Sequence, residues 1–178
     1  MGLFSQFTIW SGGQTGVDQG ALDAAIALGI PHGGWCPKGR RSEAGPIPLK
    51  YMLKEHGSAK YPPRTKQNVM DSDMTLIVTW GDRLTQGPGT SLTRRYIYDL
   101  DKLEFCVNLD HNFKKQRPSQ DPADIFPDSR YLLEYIEKHK VNIMNVAGPR
   151  ESSHEGIQYK TCLFLSCTFQ SFKNRGNL

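Results

Sequence analysis

The chain has 178 residues, of which 38% are hydrophobic, so it is long enough to bury a sizeable core within a single domain, residues 1–178. Its 22 basic and 18 acidic residues give a formal charge of only +4 and are mostly scattered, a pattern that does not indicate a nucleic-acid partner. No stretch is long and apolar enough to span a membrane, no secretory signal opens the chain, and the four cysteines lack zinc-site spacing, which together favour a cytoplasmic protein without membrane attachment.

A glycine-rich turn near the N-terminus is the first feature that indicates a ligand. Residues 7–10 predict a strand, and apolar residues at helical spacing predict a helix over 17–28 that ends at Gly29. Between them lies the turn Ser11-Gly12-Gly13-Gln14-Thr15-Gly16-Val17-Asp18. A strand, a glycine turn and a helix present backbone N–H groups to an anion, although the same glycines could serve only to pack the helix on its strand. Asp18 could accept a hydrogen bond from a heterocycle, act as a base, or stabilise the helix N-terminus by its charge.

The following forty residues predict little regular structure. Residues 33–36 indicate a short strand, 37–46 a loop, 48–55 a short helix, and Pro62-Pro63 an extended break. The loop carries Lys38, Arg40 and Arg41; arginine suits phosphate geometry, and a solvated surface is the competing interpretation. A helix is predicted over 64–70, on which Arg64, Thr65 and Asn68 project together or simply form an exposed helix start.

A second strand, glycine turn and helix repeat the first arrangement. Residues 74–80 predict a fully buried strand, and the turn 81–89 leads into a helix whose apolar face includes Leu92 and Ile97. Thr90, Ser91 and Thr93 supply three hydroxyls at its start, which is more than capping requires.

The rest of the chain continues the alternation of strands and helices. The predicted elements are a strand over 104–109, a polar excursion over 110–127, a helix over 127–140, and a strand over 141–146 followed by a glycine turn. Such alternation is typical of a parallel sheet with helices on both faces, in which ligands bind beyond the carboxyl ends of the strands. After residue 152 we expect an amphipathic helix, but residues 162–170 have as much β-propensity as helical character, and the tail after about residue 170 is expected to fray.

Four ordered segments together resemble a known family. They are Ser11–Asp18, Gly33–Arg41, Arg64–Asp73 and Asn145–Ser152. The region 8–152 is similar to the molybdenum-cofactor carrier proteins, a circularly permuted branch of the SLOG superfamily, which also contains the lysine-decarboxylase-like phosphoribohydrolases. The resemblance implies a Rossmann-like three-layer α/β/α fold with a mainly parallel sheet. It also implies a cytoplasmic homo-oligomer, a tetramer, that binds molybdenum cofactor (molybdopterin) without transforming it and hands it to molybdoenzymes.

The resemblance and the residue types together predict the binding residues. The ligand is expected to contact Gly12, Gly13, Gln14, Thr15, Gly16, Asp18, Lys38, Arg40, Arg41, Arg64, Asn68, Gly89, Thr90 and Ser91. No catalytic or metal-ligating residue is predicted. The phosphoribohydrolases carry a catalytic glutamate in a Pro-Gly-Gly-x-Gly-Thr-x-x-Glu motif, and Thr93 stands at that position here. A hydroxyl cannot replace a carboxylate as a general base near neutral pH, so a nucleotide-cleaving enzyme is the alternative rather than the main prediction.

Overall fold

A five-stranded, wholly parallel sheet forms the centre of the computed structural model, which describes residues 7–81 and 87–174. Its strands are β1 (Thr8–Ser11), β2 (His32–Gly33), β7 (Met74–Thr79), β8 (Leu103–Asn108) and β9 (Ile143–Ala147). Their order in the sheet is β2-β1-β9-β7-β8. The last strand of the chain pairs with both β1 and β7, so it closes the sheet between the two βα units predicted from the sequence. The predicted fold class is confirmed.

Helices cover both faces of this sheet. On one face α1 (Val17–Leu28) packs against α6 (Ile157–Asn174), with α5 (Pro127–Lys138) beside α6. On the other face α2 (Tyr61–Asp71) packs against α3 (Pro88–Asp99). The short helix α4 (Leu109–Lys114) and a 3-10 turn (Pro122–Asp124) lie within the predicted polar excursion. No helix in the described part of the chain could cross a membrane.

The buried strand and the C-terminal helix supply much of the core. All six residues of β7 are buried, as the continuous apolar run predicts. In α6, whose conformation the sequence leaves open, Phe164, Leu165 and Phe169 are buried in the main core. Because Gly20 of α1 has no side chain, the backbone of α6 can approach it closely. The tail is therefore helical to Asn174, and residues 175–178 of its predicted frayed end lie outside the described residues.

Two predictions between residues 48 and 63 are wrong. Residues 48–55 form turns that end in the short strand β6 (Lys54–Glu55), which pairs with β3 (Trp35–Cys36). Their backbone carbonyls bind the Arg40 guanidinium instead of forming helical hydrogen bonds. Pro62-Pro63 lies in the first turn of α2, where a missing N–H removes no intrahelical bond.

The predicted loop 37–46 contains a tight hairpin. It consists of β4 (Arg41–Ser42) and β5 (Gly45–Pro46), which pair antiparallel around Glu43-Ala44. The Ser42 hydroxyl donates to the Gly45 carbonyl at 2.7 Å and fixes the turn. The hairpin consequently holds Glu43 in a defined position beside the N-terminus of α1.

Candidate functional site

A cavity of about 320 Å³ lies beyond the carboxyl ends of β1 and β9, on the face of the sheet that carries α2 and α3. This is the position at which open parallel sheets bind ligands. Its polar and charged lining includes Gln14, Asp18, Arg64, Thr90, Asn145 and Arg150. The volume is at the lower end of the range for small-molecule sites, so it suits one compact ligand or part of a larger one.

A buried ion pair lies in the wall of the cavity. Arg64 Nη1 donates to Asp18 Oδ2 at 3.3 Å, and both side chains are largely shielded from solvent. The backbone N–H of Gln14 donates to the same carboxylate oxygen at 3.2 Å. Burial raises the pKa of the Asp18 carboxyl above its usual range, while Arg64 and the Gln14 N–H oppose that shift. The ion pair therefore keeps the positive charge of Arg64 at the cavity wall, with the Asp18 carboxylate as its counter-charge.

Gly12 makes room for this cation. A β-carbon at Gly12 would overlap the Arg64 guanidinium, whereas the backbone of Gly12 lies outside the left-handed region. Because residue 12 has no side chain, the Arg64 guanidinium can occupy that space. The turn therefore positions Arg64 as well as preceding the helix.

Gln14 lines the cavity and carries a donor that no described residue binds. Its Oε1 accepts hydrogen bonds from the backbone N–H groups of Thr15 at 3.0 Å and Glu43 at 2.9 Å. Since backbone N–H groups can only donate, the amide orientation is unambiguous, and Nε2 points elsewhere. This Nε2 is buried without a hydrogen-bond partner in the described structure, and the same is true of Arg64 Nε. Such donors are costly to leave unpaired and favour a ligand that carries acceptor atoms.

A second arginine and a helix N-terminus complete the polar wall. Arg150 Cζ and Arg64 Cζ lie 5.2 and 5.9 Å from the centre of the Tyr61 ring. The start of α3 contributes Gly89 and Thr90 to the lining, where the helix dipole favours an anion. The Thr93 hydroxyl donates to the Gly89 carbonyl at 3.0 Å and is thus used within the helix.

The N-terminus of α1 is largely satisfied by the protein itself. The Val17 N–H donates to the Pro149 carbonyl at 3.1 Å, and the Gln14 and Thr15 N–H groups bind side chains within the turn. Gly16 has φ +80°, and a β-carbon there would meet the backbone of residues 149–151. The glycine turn predicted to bind an anion is therefore packed against the turn that follows β9.

Three predicted binding residues of the loop 37–46, Lys38, Arg40 and Arg41, lie outside the cavity lining. Arg40 donates to the carbonyls of Ile47, Pro48, Tyr51 and Leu53 at 2.9 to 3.3 Å, so its guanidinium anchors the hairpin to the following segment. Lys38 and Arg41 are exposed.

Replacing Arg40 by alanine is expected to lower the free energy of unfolding by about 2–3 kcal/mol, because several carbonyls lose a charged donor at once. Urea unfolding followed by circular dichroism measures the change. Arg41→Ala is the matched control, and its effect should stay within about 0.5 kcal/mol because Arg41 is exposed. Equal stabilities of the two variants would show that Arg40 does not anchor the hairpin.

Of the other predicted residues, some line the cavity and others lie outside its lining. Asn68 lines the cavity, but its amide is engaged by the backbone N–H and carbonyl of Trp35. Ser91 is not part of the lining. Gly13 packs against Ile47 and Leu53, and Thr15 hydrogen-bonds to Glu43.

Several residues at the site were not predicted as binding residues, among them Glu43, Tyr61, Asn145 and Arg150. Asn145 is buried in β9, its amide nitrogen lies 3.2 Å from Thr75 Oγ1, and the residue faces the cavity. The sequence signal that could have found Asn145 and Arg150 was the third glycine turn that follows a strand. Only the strand order shows that this turn lies beside the first glycine turn.

Asp18 carries the only carboxyl group among the described residues that line the cavity, and no histidine or cysteine lines it. Its carboxylate is held by Arg64. Within residues 7–81 and 87–174, no cluster of histidine, cysteine or acidic residues could hold a metal ion. The described wall thus offers binding groups, chiefly donors, and little acid–base chemistry.

Comparison with known proteins agrees with this fold. The model of the circularly permutated YpsA SLOG family matches residues 9–169. A solved structure from Syntrophus aciditrophicus SB, named "Putative molybdenum carrier protein", is 33% identical. Its TM-score is 0.79, and the match covers 94% of this chain and 96% of that one. No curated protein matches the chain.

Proposed function

The chain belongs to the circularly permuted YpsA SLOG family, and from this premise we propose that it binds and carries a phosphorylated heterocycle, with molybdenum cofactor as the expected cargo. The solved relative is named as a molybdenum carrier, which supports a carrier role. The ligand is held in the cavity lined by Arg64 and Arg150.

The unpaired donors are the observation that carries this proposal. Gln14 Nε2 and Arg64 Nε are buried without partners, and Arg64 Nη1 alone of that guanidinium donates to a described residue. An unpaired buried donor costs about 1–3 kcal/mol, a cost that a ligand oxygen removes on binding. The site is therefore suited to a ligand with several acceptor atoms and negative charge.

Molybdenum cofactor fits this donor set chemically. Arginine and the N-terminus of α3 suit its phosphate and the oxyanionic metal centre. The buried amides of Gln14 and Asn145 suit a hydrogen-bonding pterin. Homo-oligomerisation and transfer to a molybdoenzyme stay predictions of the family resemblance.

A cofactor-protection experiment tests the proposal. Purified protein is mixed anaerobically with molybdenum cofactor released from a molybdoenzyme, and the surviving cofactor is followed after exposure to air. The protein is expected to bind the cofactor and slow its oxidation. No binding and no protection would refute the carrier role.

Arg150→Met is expected to weaken binding of the cofactor about five- to tenfold, because it removes one partly exposed charged donor from the lining. Arg95→Met is the matched control, since Arg95 lies on the exposed surface of α3 outside the lining. Isothermal titration with each variant provides the affinities. An equal loss in both variants would mean that general charge, not the cavity, attracts the ligand.

Asp18 favours one second candidate, a phosphoribohydrolase-like cleavage of a nucleotide. It is the sole carboxyl lining the described cavity, and burial raises its pKa, a common property of acid–base residues. Against it stands the Arg64 ion pair, which occupies the carboxylate. Incubation with nucleoside monophosphates, followed by assay for ribose 5-phosphate, decides between cleavage and binding.

A further inference from the structure

We infer that Glu43, a residue outside the cavity lining, is a positioning residue that holds the ligand donors Gln14 and Arg150 in place. This inference rests on the proposed function, because it assigns how the same site is built. Glu43 lies in the two-residue turn of the β4–β5 hairpin, outside the main sheet.

Glu43 is bound at both ends to the segments that flank the cavity. Its backbone N–H donates to Gln14 Oε1 at 2.9 Å. Its carboxylate accepts the hydroxyl of Ser152 at 2.6 Å and the Ser152 N–H at 3.2 Å, and it also accepts the Thr15 hydroxyl. Glu43 thus joins the turn before α1 to the turn after β9, although Ser152 lies 109 positions after Glu43 in the sequence.

The bond to Gln14 decides which atom of its amide is free. With Oε1 held by two backbone N–H groups, Nε2 is the atom of the amide that is left unpaired. If the hairpin moved, Oε1 would lose one of these two donors and the amide could rotate. The hairpin therefore fixes the orientation of the Gln14 amide, although Gln14 is not part of the hairpin.

The carboxylate of Glu43 also restrains Arg150 without consuming it. Glu43 Oε2 lies 3.9 Å from Arg150 Nη1, which is long for a hydrogen bond, while Ser152 binds the carboxylate closely. Burial alone would raise the pKa of the Glu43 carboxyl, but the hydrogen bonds from Ser152 and Thr15 outweigh it and lower that pKa. Glu43 is consequently ionised near neutral pH and attracts the guanidinium of Arg150, which lines the cavity.

The anchoring of the hairpin makes this arrangement rigid. Arg40 binds four carbonyls of the segment 47–53, and the Ile47 N–H donates to the Arg40 carbonyl at 2.6 Å. Because both ends of the hairpin are tied down, its turn can serve as a fixed support for Gln14 and for the segment 150–152.

Glu43→Gln tests the inference in the full-length protein, with GMP, a stable phosphorylated heterocycle, as the titrated probe. The variant keeps the backbone N–H and the side-chain size but loses the charge and one acceptor. GMP affinity is expected to fall about tenfold. Glu55→Gln, which alters a hydrogen-bonded glutamate on β6 away from the cavity lining, should leave it unchanged.

A double-mutant cycle separates positioning from general stability. If Glu43 acts through Arg150, the variant Glu43→Gln/Arg150→Met binds GMP only slightly more weakly than Arg150→Met alone. Fully additive losses, or unchanged binding by Glu43→Gln, would overturn the inference for Arg150.

A ligand-free measurement decides the Gln14 half. The side-chain amide of Gln14 is expected to be ordered in the wild-type protein and more mobile in Glu43→Gln by 15N relaxation, because the Ser152 and Thr15 contacts of the turn weaken. An equally ordered amide in both proteins overturns it. If the wild-type protein binds neither GMP nor molybdenum cofactor, the proposed function fails, and the relaxation data still decide whether Glu43 positions Gln14.

Discussion

Gly16→Ala is expected to lower the free energy of unfolding by about 3–5 kcal/mol. A β-carbon at residue 16 would lie 2.5 to 2.6 Å from backbone atoms of residues 149–151. Backbone cannot rotate away as a side chain can. The substitution also places alanine at φ +80° and pushes apart the Val17 N–H and the Pro149 carbonyl, which lie 3.1 Å apart. Urea unfolding measures the loss.

Gly29→Ala is the matched control for the backbone conformation. Gly29 has φ +69°, but a β-carbon there would meet no atom within 4 Å. Its cost should be limited to the left-handed conformation, about 1–2 kcal/mol. The difference between the two variants therefore measures the contact between the α1 turn and the turn after β9. If both variants lose the same stability, that contact is not tight.

Gly12→Ala is expected to reduce affinity for molybdenum cofactor about 10- to 100-fold while the fold is retained. The new β-carbon would occupy the space of the Arg64 guanidinium, which lies at the far end of a flexible side chain and can be displaced. Since residue 12 has an ordinary backbone conformation, no backbone strain accompanies the change. Displacement separates Arg64 from Asp18 and removes the cation from its place in the cavity wall.

Titration of cofactor into Gly12→Ala, Arg64→Met and their combination measures this effect. Gly57→Ala is the control, because a β-carbon at Gly57 would meet no atom within 4 Å. The double variant should bind no more weakly than Arg64→Met alone, because the glycine acts through the arginine. Wild-type affinity in Gly12→Ala would show that the ligand does not need Arg64 in its present position.

The local patterns of the sequence were sufficient for the main elements. The apolar run at 74–79 predicts a buried strand, and the apolar spacing after Gly16 predicts α1. Between residues 48 and 63, the local sequence pattern predicted the wrong secondary structure. There the carbonyls that a helix would use bind Arg40, and the prolines begin a helix instead of breaking the chain.

The tail shows where local propensity has no answer. Residues 162–170 are compatible with a strand or a helix, and the choice is made by packing against α1 and the sheet. Gly20, in the middle of α1, permits that close approach. The helix propensities of ordinary residues differ by fractions of a kcal/mol per residue. Burying one large apolar side chain contributes more, about 1.5–3 kcal/mol, to the stability of the fold.

The alternation of strands and helices, the glycine turns at the strand ends and the family all follow from the sequence, and with them the edge of the sheet at which a ligand is expected. Which cations line the cavity at that edge depends on the tertiary structure. Arg40 and Arg64 are the same residue type, yet Arg40 is surrounded by backbone carbonyls and Arg64 reaches Asp18 across 46 positions of sequence. Glu43 and Arg150 join the site in the same way. Their positions depend on strand order and on contacts between distant segments, and these are not encoded in the spacing of neighbouring residues.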